Sequence, residues 1–294
     1  MADTSPNLQP GLSSMSDPIL FADDLSFPES PRWYGDTLWL SDVHNFCLLQ
    51  LNEEGQVVRS WPVPGRPAGL GFTPDGVLLM ATALDRKILR IDDDHIEMLA
   101  DLSHLTTGLL NDMVVAADGT LYVGDTGYDI SSGDPACPGR VICRRPDGTA
   151  FIAAEDIGFP NGMAITPDGG TLYVAETFSK RISRYSIEFD GRLADRTIHA
   201  ELEGLVDGIC LDAEGSLWAA RIQASTFIRI DRGGREIDQV SVAPFWAIAC
   251  MLGGAQRKTF FMCAAEITDG ADGRPARRGM IFTKDVSVPG AGLP

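Results

Sequence analysis

The chain has 294 residues, 44% of them hydrophobic and 22% charged, which suits a soluble globular protein with a sizeable core. Its formal net charge is −17, and its one basic cluster is the Arg-Pro-Ala-Arg-Arg run at 274–278. That balance argues against nucleic acid and anionic membrane as partners, and no apolar run is long enough to span a bilayer.

Residues 1–17 are rich in Ser, Pro and Gly and lack a basic segment followed by an apolar one, so they are expected to form a disordered leader rather than a secretory signal. A lone strand follows at 18–25. Then come five hairpins, each an apolar strand, a Gly-containing turn and a second apolar strand ending in a polar residue: 29–42, 68–82, 111–125, 161–176 and 207–221. A more degenerate sixth spans 246–266. Start-to-start spacings are 39, 43, 50, 46 and 39. Further strand-like runs lie between them, such as 87–92, 181–189 and 227–234. Residues 95–105 carry a short helical pattern but stand where a strand and loop are due.

Four short strands per repeat of this length predict an all-β fold, a six-bladed β-propeller with four-stranded blades over 18–287. The strands at 18–25 and 278–287 are expected to close the ring by pairing in one blade, which would also cover exposed edges. Residues 288–294 read as a flexible tail. Two β-sandwich domains are the weaker reading, because no linker-like break divides the chain. The six cysteines form no CxxC pair and no Cys/His set, so reduced thiols in a cytoplasmic protein are expected.

In a propeller the first strand of each blade lines the central channel. The residue opening that strand reads Glu29, Ala68, Asn111, Asn161, Asp207, and Trp246 or Ala247. A single Asn-Gly or Asp-Gly is a common turn pair. Four oxygen-bearing side chains in register point instead to a convergent site. Two carboxylates facing one another repel, and a divalent cation resolves the conflict, with Asn carbonyl oxygens as further hard ligands. Of the histidines only His44, just past the first hairpin, is placed to reach the mouth. The second strands end in Asp42, Thr82, Asp125, Glu176, Arg221 and Glu266, expected as a rim that tunes specificity. Tyr128, Phe178 and Trp246 are placed either to pack or to meet substrate.

The segments Glu-Ser-Pro-Arg-Trp (29–33), 110–127, 159–177 and 206–221 together resemble the senescence marker protein, gluconolactonase and regucalcin family over residues 18–285. The resemblance implies a six-bladed propeller with one divalent metal on its axis and, in most members, lactone hydrolysis. By motif, the metal ligands would be Glu29, Asn161 and Asp207, with Asp207 also the general base and Asn111 contacting substrate or metal. Ca²⁺ comes first among candidate metals, with Zn²⁺, Mn²⁺, Mg²⁺ and Fe²⁺ also admissible. Sugar-lactone members tend to carry Arg two residues before that Asn; here Leu109 stands there, which favours a less polar lactone or ester. Tyr128, Trp246 and His44 complete the expected substrate contacts, in a monomer or small homo-oligomer. A phosphotriesterase-type hydrolase on the same metal and a non-catalytic calcium-binding propeller are the rival readings. A metal-free, strictosidine synthase-like propeller is disfavoured by the joint presence of Glu29, Asn161 and Asp207.

Overall fold

A computed structural model describes residues 17–92, 95–269 and 275–292. The six hairpins form as expected, each continued by one or two further antiparallel strands, and give six four-stranded sheets. Blades 1 to 5 run in simple chain order over residues 28–62, 67–101, 110–157, 160–201 and 206–241. Blade 6 takes three strands from the C-terminal end, the outermost of which (Pro275–Asp285) pairs antiparallel with Ile19–Leu25, so both ends of the chain close the ring. The segment 95–101, whose pattern was partly helical, is the outer strand of blade 2. Among the described residues the one helical element is a 3-10 turn at Ile130–Ser132. The leader expected over 1–17 lies outside the described residues save Asp17.

The inner strands pack side by side around the axis, each against its two neighbours. They are apolar on both faces because both are covered; Pro67–Phe72, Pro160–Ile165 and Val206–Leu211 are buried throughout. Six apolar clusters fill the six blade interfaces, one each. Between blades 1 and 2, for example, Leu48 and Trp61 meet Leu70 and Met80. The core is thus a ring of wedges, and the channel mouths are where polar side chains can gather. Residues 289–291, expected as part of a free tail, are instead tied across one mouth: Ala213 N donates to Pro289 O (2.8 Å), Gly290 N to Arg257 O (2.8 Å) and Ala291 N to Leu211 O (3.0 Å).

Candidate functional site

At the other mouth, the inner strand of every blade slips register just after it begins. The shifts fall between Glu29 and Arg32, Pro67 and Leu70, Leu110 and Met113, Pro160 and Met163, Val206 and Ile209, and Ala247 and Ala249. A bulge of this kind re-aims a side chain out of the sheet's alternation. Here it begins directly after Glu29 and falls on Asn111, Asn161 and Asp207. The glycine after each of the last two is not a turn residue. A Cβ on Gly162 would lie 2.5 Å from Ile209 N, and one on Gly208 would lie 2.6 Å from Ala249 Cα. These glycines let neighbouring inner strands close on the axis, so Asn-Gly and Asp-Gly are packing pairs.

In blades 1 and 3 the same position holds Ser30 and Asp112, and the two meet. Ser30 Oγ donates to Asp112 Oδ1 (2.7 Å), and Arg32 donates to the same oxygen (3.1 Å) and to Met113 O (2.6 Å). Blade 2 lies between them and carries Gly69 and Gly71 at its inner face, with a Cβ on Gly69 falling 2.3 Å from Met113 N. Ser30 adopts a left-handed φ of 48°, a strained conformation for a residue with a side chain. These three residues were not singled out from the sequence. A charged Arg32 in an otherwise apolar inner strand was the available signal.

The electrostatics are unbalanced. Burial first, then the nearby charges of Asp207 and Asp112, hold the Glu29 carboxyl well above the usual carboxylate range. Burial and Asp112 do the same to Asp207, with the Asn161 amide working the other way. Asp207 is 5% exposed and its Oδ1 is buried without a hydrogen-bond partner. At the floor of this mouth three carboxylates share one guanidinium, Arg32, which pairs with Asp112.

The amides are oriented. Asn161 Nδ2 donates to Thr177 Oγ1 and Asn111 Nδ2 to Pro160 O, each at 3.2 Å. Each nitrogen is committed, and among the described residues no donor reaches either amide oxygen. Among the described residues no three His, Cys, Asp or Glu side chains cluster as a ligand set. Two carboxylates with amide oxygens are nevertheless a hard-donor set of the kind divalent cations take. The orphaned Asp207 oxygen and the surplus of two negative charges fit such an ion.

Above this floor lies a cavity of ≈ 210 Å³ whose lining includes Glu29, Asn111, Leu109 and His44. His44 packs edge-on to Phe27 at 5.6 Å between centroids. Tyr128 does not line the cavity. It belongs to an aromatic group with Phe178 and Phe159, and Phe159 reaches the lining. Trp246 packs instead into the apolar cluster between blades 6 and 1. A larger cavity of ≈ 400 Å³ occupies the opposite mouth, lined by Trp33, Leu211 and Met251 among others; the convergent oxygens are not there, so the chemistry favours the smaller one.

Three of the four acidic ends of the second strands are buried, while Glu266 is half-buried. Asp42, Asp125 and Glu176 are at most 1% exposed, and each braces the loop that delivers its own blade's inner strand. Asp42 accepts from Ser26 N and Phe27 N, ahead of Glu29. Asp125 accepts from Thr107 N and Gly108 N, ahead of Asn111. Glu176 accepts from Gly158 N, ahead of Asn161, and from Arg181, Arg196 and Ser183.

Residues 27–266 match the model of the family described as SMP-30/Gluconolactonase/LRE-like region. The chain is 25% identical over 275 residues to pentonolactonase XacC of Haloferax volcanii, covering 89% of this chain and 91% of that one. A solved gluconolactonase of Xanthomonas campestris superposes with a TM-score of 0.75 at 25% identity, over 92% of this chain and 89% of that one. A calcium-binding regucalcin of Agrobacterium tumefaciens shares the fold with a TM-score of 0.76 at 21% identity, over 95% and 98% of the two chains.

Proposed function

Because the chain belongs to the SMP-30/gluconolactonase/LRE-like family, we propose that it hydrolyses lactones, using one divalent cation held by Glu29, Asn161 and Asp207. The observation that carries this reading is the orphaned, buried Asp207 oxygen beside two further carboxylates at the channel mouth. The names of the pentonolactonase and gluconolactonase relatives support the reaction class. Calcium is the first candidate, since the ligands are all oxygen and a regucalcin of the same fold binds it.

When bound, the cation supplies Lewis-acid polarisation of the ester carbonyl. Asp207 accepts the proton of a water that attacks the carbonyl carbon. The acyl–oxygen bond of the ring breaks, and the ring oxygen leaves as an alcohol, taking a proton back from Asp207. Asn111, its amide nitrogen fixed by Pro160 O, presents its oxygen to the cavity and positions the ring. Glu29 stays ionised when the cation offsets its burial and its like-charged neighbours. Leu109 and the other apolar wall residues exclude water and favour a ring with few hydroxyls.

The test is proton release from a panel of lactones, from polyol to alkyl, by chelator-stripped protein with each metal restored. Turnover of alkyl lactones in preference to polyol lactones, only with metal present, is expected. Hydrolysis confined to polyol lactones would remove the role given to Leu109, and stabilisation by metal without turnover of any ester would make the protein a calcium binder.

A further inference from the structure

The ring of channel-opening residues has a gap. Blade 2 contributes Ala68 where its neighbours in blades 1 and 3 contribute Glu29 and Asn111. The cavity spreads over that gap, drawing its lining from blades 1, 2 and 3 and from Phe159. Two residues before Ala68, on the loop entering the same inner strand, stands Arg66, whose side chain lines the cavity.

Arg66 is the one lining residue with a permanent positive charge. Among the described residues its guanidinium makes no hydrogen bond and no ion pair. Burial lowers its pKa, with the nearby charge of Asp129 only partly compensating. Asp129 is itself committed, accepting from Ser131 N (2.8 Å) and Ser131 Oγ (2.6 Å). Two other polar lining groups are occupied within the chain: Thr126 Oγ1 accepts from Leu109 N and donates to Tyr128 O, and Ser30 Oγ donates to Asp112; Glu29 and Asn111 belong to the floor. A half-buried guanidinium with no partner among the described residues, facing a cavity whose apolar wall is Phe27, Val43, Ala83, Leu109 and Phe159, suits an anionic partner from outside the chain.

We propose that Arg66 is the specificity-determining residue of this site and that the lactone opened here carries a carboxylate on the side of its ring that faces blade 2. The proposal rests on the lactonase reading for the word lactone, but the pairing of Arg66 with an acid group stands on the cavity alone. It also reconciles two features of the lining. The apolar wall selects a ring with few hydroxyls, and one bidentate donor accepts its single acid. With a divalent ion offsetting the surplus carboxylates at the floor, Arg66 supplies a cation at the cavity wall within a protein of net charge −17, so the wall beside Arg66 is where an anionic group is best placed.

The experiment uses paired ligands that differ only in charge. The first pair is a cyclopentanone carboxylate and its carboxamide, rings that cannot be hydrolysed, with affinities measured by calorimetry on the purified protein. Wild type is expected to bind the carboxylate about tenfold tighter or more, the scale of one charge-assisted hydrogen-bonding pair. Arg66→Ala is expected to bring the ratio close to one, and Arg66→Lys to keep part of it. Melting temperatures identify any variant that has not folded; Arg66 is only half-buried, so both should fold. Equal binding of the two ketones by wild type, or a ratio unchanged in Arg66→Ala, overturns the proposal. The second pair is the matching five-membered lactone carboxylate and carboxamide, followed by proton release. Failure to hydrolyse either condemns the lactonase reading, while the ketone ratio still decides the role of Arg66.

Discussion

Replacing Asp207 with Asn should stabilise the metal-free protein while removing its response to metal. Asp207 is 5% exposed, its Oδ1 has no partner, and its charge is opposed by Glu29 and Asp112. An unsatisfied buried polar atom costs about 1–3 kcal/mol, and more when charged. Relieving about 2 kcal/mol should raise the melting temperature of chelator-treated protein by roughly 4–8 °C. With calcium present the order should reverse. At one hundred times its dissociation constant, a ligand that binds only the folded state adds about 2.7 kcal/mol, and the wild type alone should collect that gain. Differential scanning calorimetry of both proteins, with chelator and with calcium, reads out the crossing. A variant less stable than wild type in chelator, or equally stabilised by calcium, would refute the reasoning that Asp207 is an uncompensated charge awaiting a cation.

The buried carboxylates also give the protein a pH-dependent stability. The folded-state pKa values of Glu29 and Asp207 are raised, so ionising them costs stability above those values and the cost disappears as pH falls through them. The gap in melting temperature between chelator-treated wild type and Asp207→Asn should therefore narrow on acidification; a constant gap from pH 8 to pH 5 would count against it. Glu176 has the opposite sign. Burial works to raise its pKa, but hydrogen bonds from Arg181, Ser183, Gly158 and Arg196 outweigh it and lower the value, so its contribution is present at neutral pH and lost as pH falls through the folded value. Glu176→Gln strands two arginines beside a buried site and should cost about 3–5 kcal/mol at pH 7 by denaturant titration; a midpoint like wild type's would show the clamp to be idle. Gly162→Ala should cost about 1–3 kcal/mol or more, since its Cβ meets backbone at 2.5 Å. Gly169→Ala, at φ 71° with open space around it, should lose about 1 kcal/mol and leave metal binding intact. Equal effects of the two would mean that the inner strands are not closely packed at the axis.

The architecture was legible because each repeat states it again. Alternating apolar strands around turns at recurring spacing fix six hairpins, and the leftover strands at 19–25 and 275–285 pair with each other to complete the last blade. Glu29, Asn111, Asn161 and Asp207 were legible as a set through the same register. Asp112 and Ser30 were not, because each follows a more conspicuous residue and their meeting across blade 2 depends on the absent side chains of Gly69 and Gly71. The acids ending the second strands read from the sequence as a rim that tunes specificity, because those strands run back toward the mouth. Only the fold shows Asp42, Asp125 and Glu176 turned inward onto backbone amides of the preceding loop. Trp246 pairs in register as Pro160 and Val206 do, one residue ahead of the site position, which Ala247 fills, and it packs between blades with Phe261 and Leu38. Arg66 precedes the repeat by two residues, outside the stacked hairpins, so stacking them does not bring it into the set.

In the proposed reaction one cation, held by Glu29, Asn161 and Asp207, is required for ester cleavage. Titrating calcium into chelator-stripped protein, while following hydrolysis of an alkyl lactone, tests both parts together. The rate should rise from near background and level off at one ion per chain in wild type, and should stay near background at every calcium concentration in Glu29→Gln and Asp207→Asn. Full activity in the presence of chelator, or a wild-type titration curve reproduced by both variants, would contradict it.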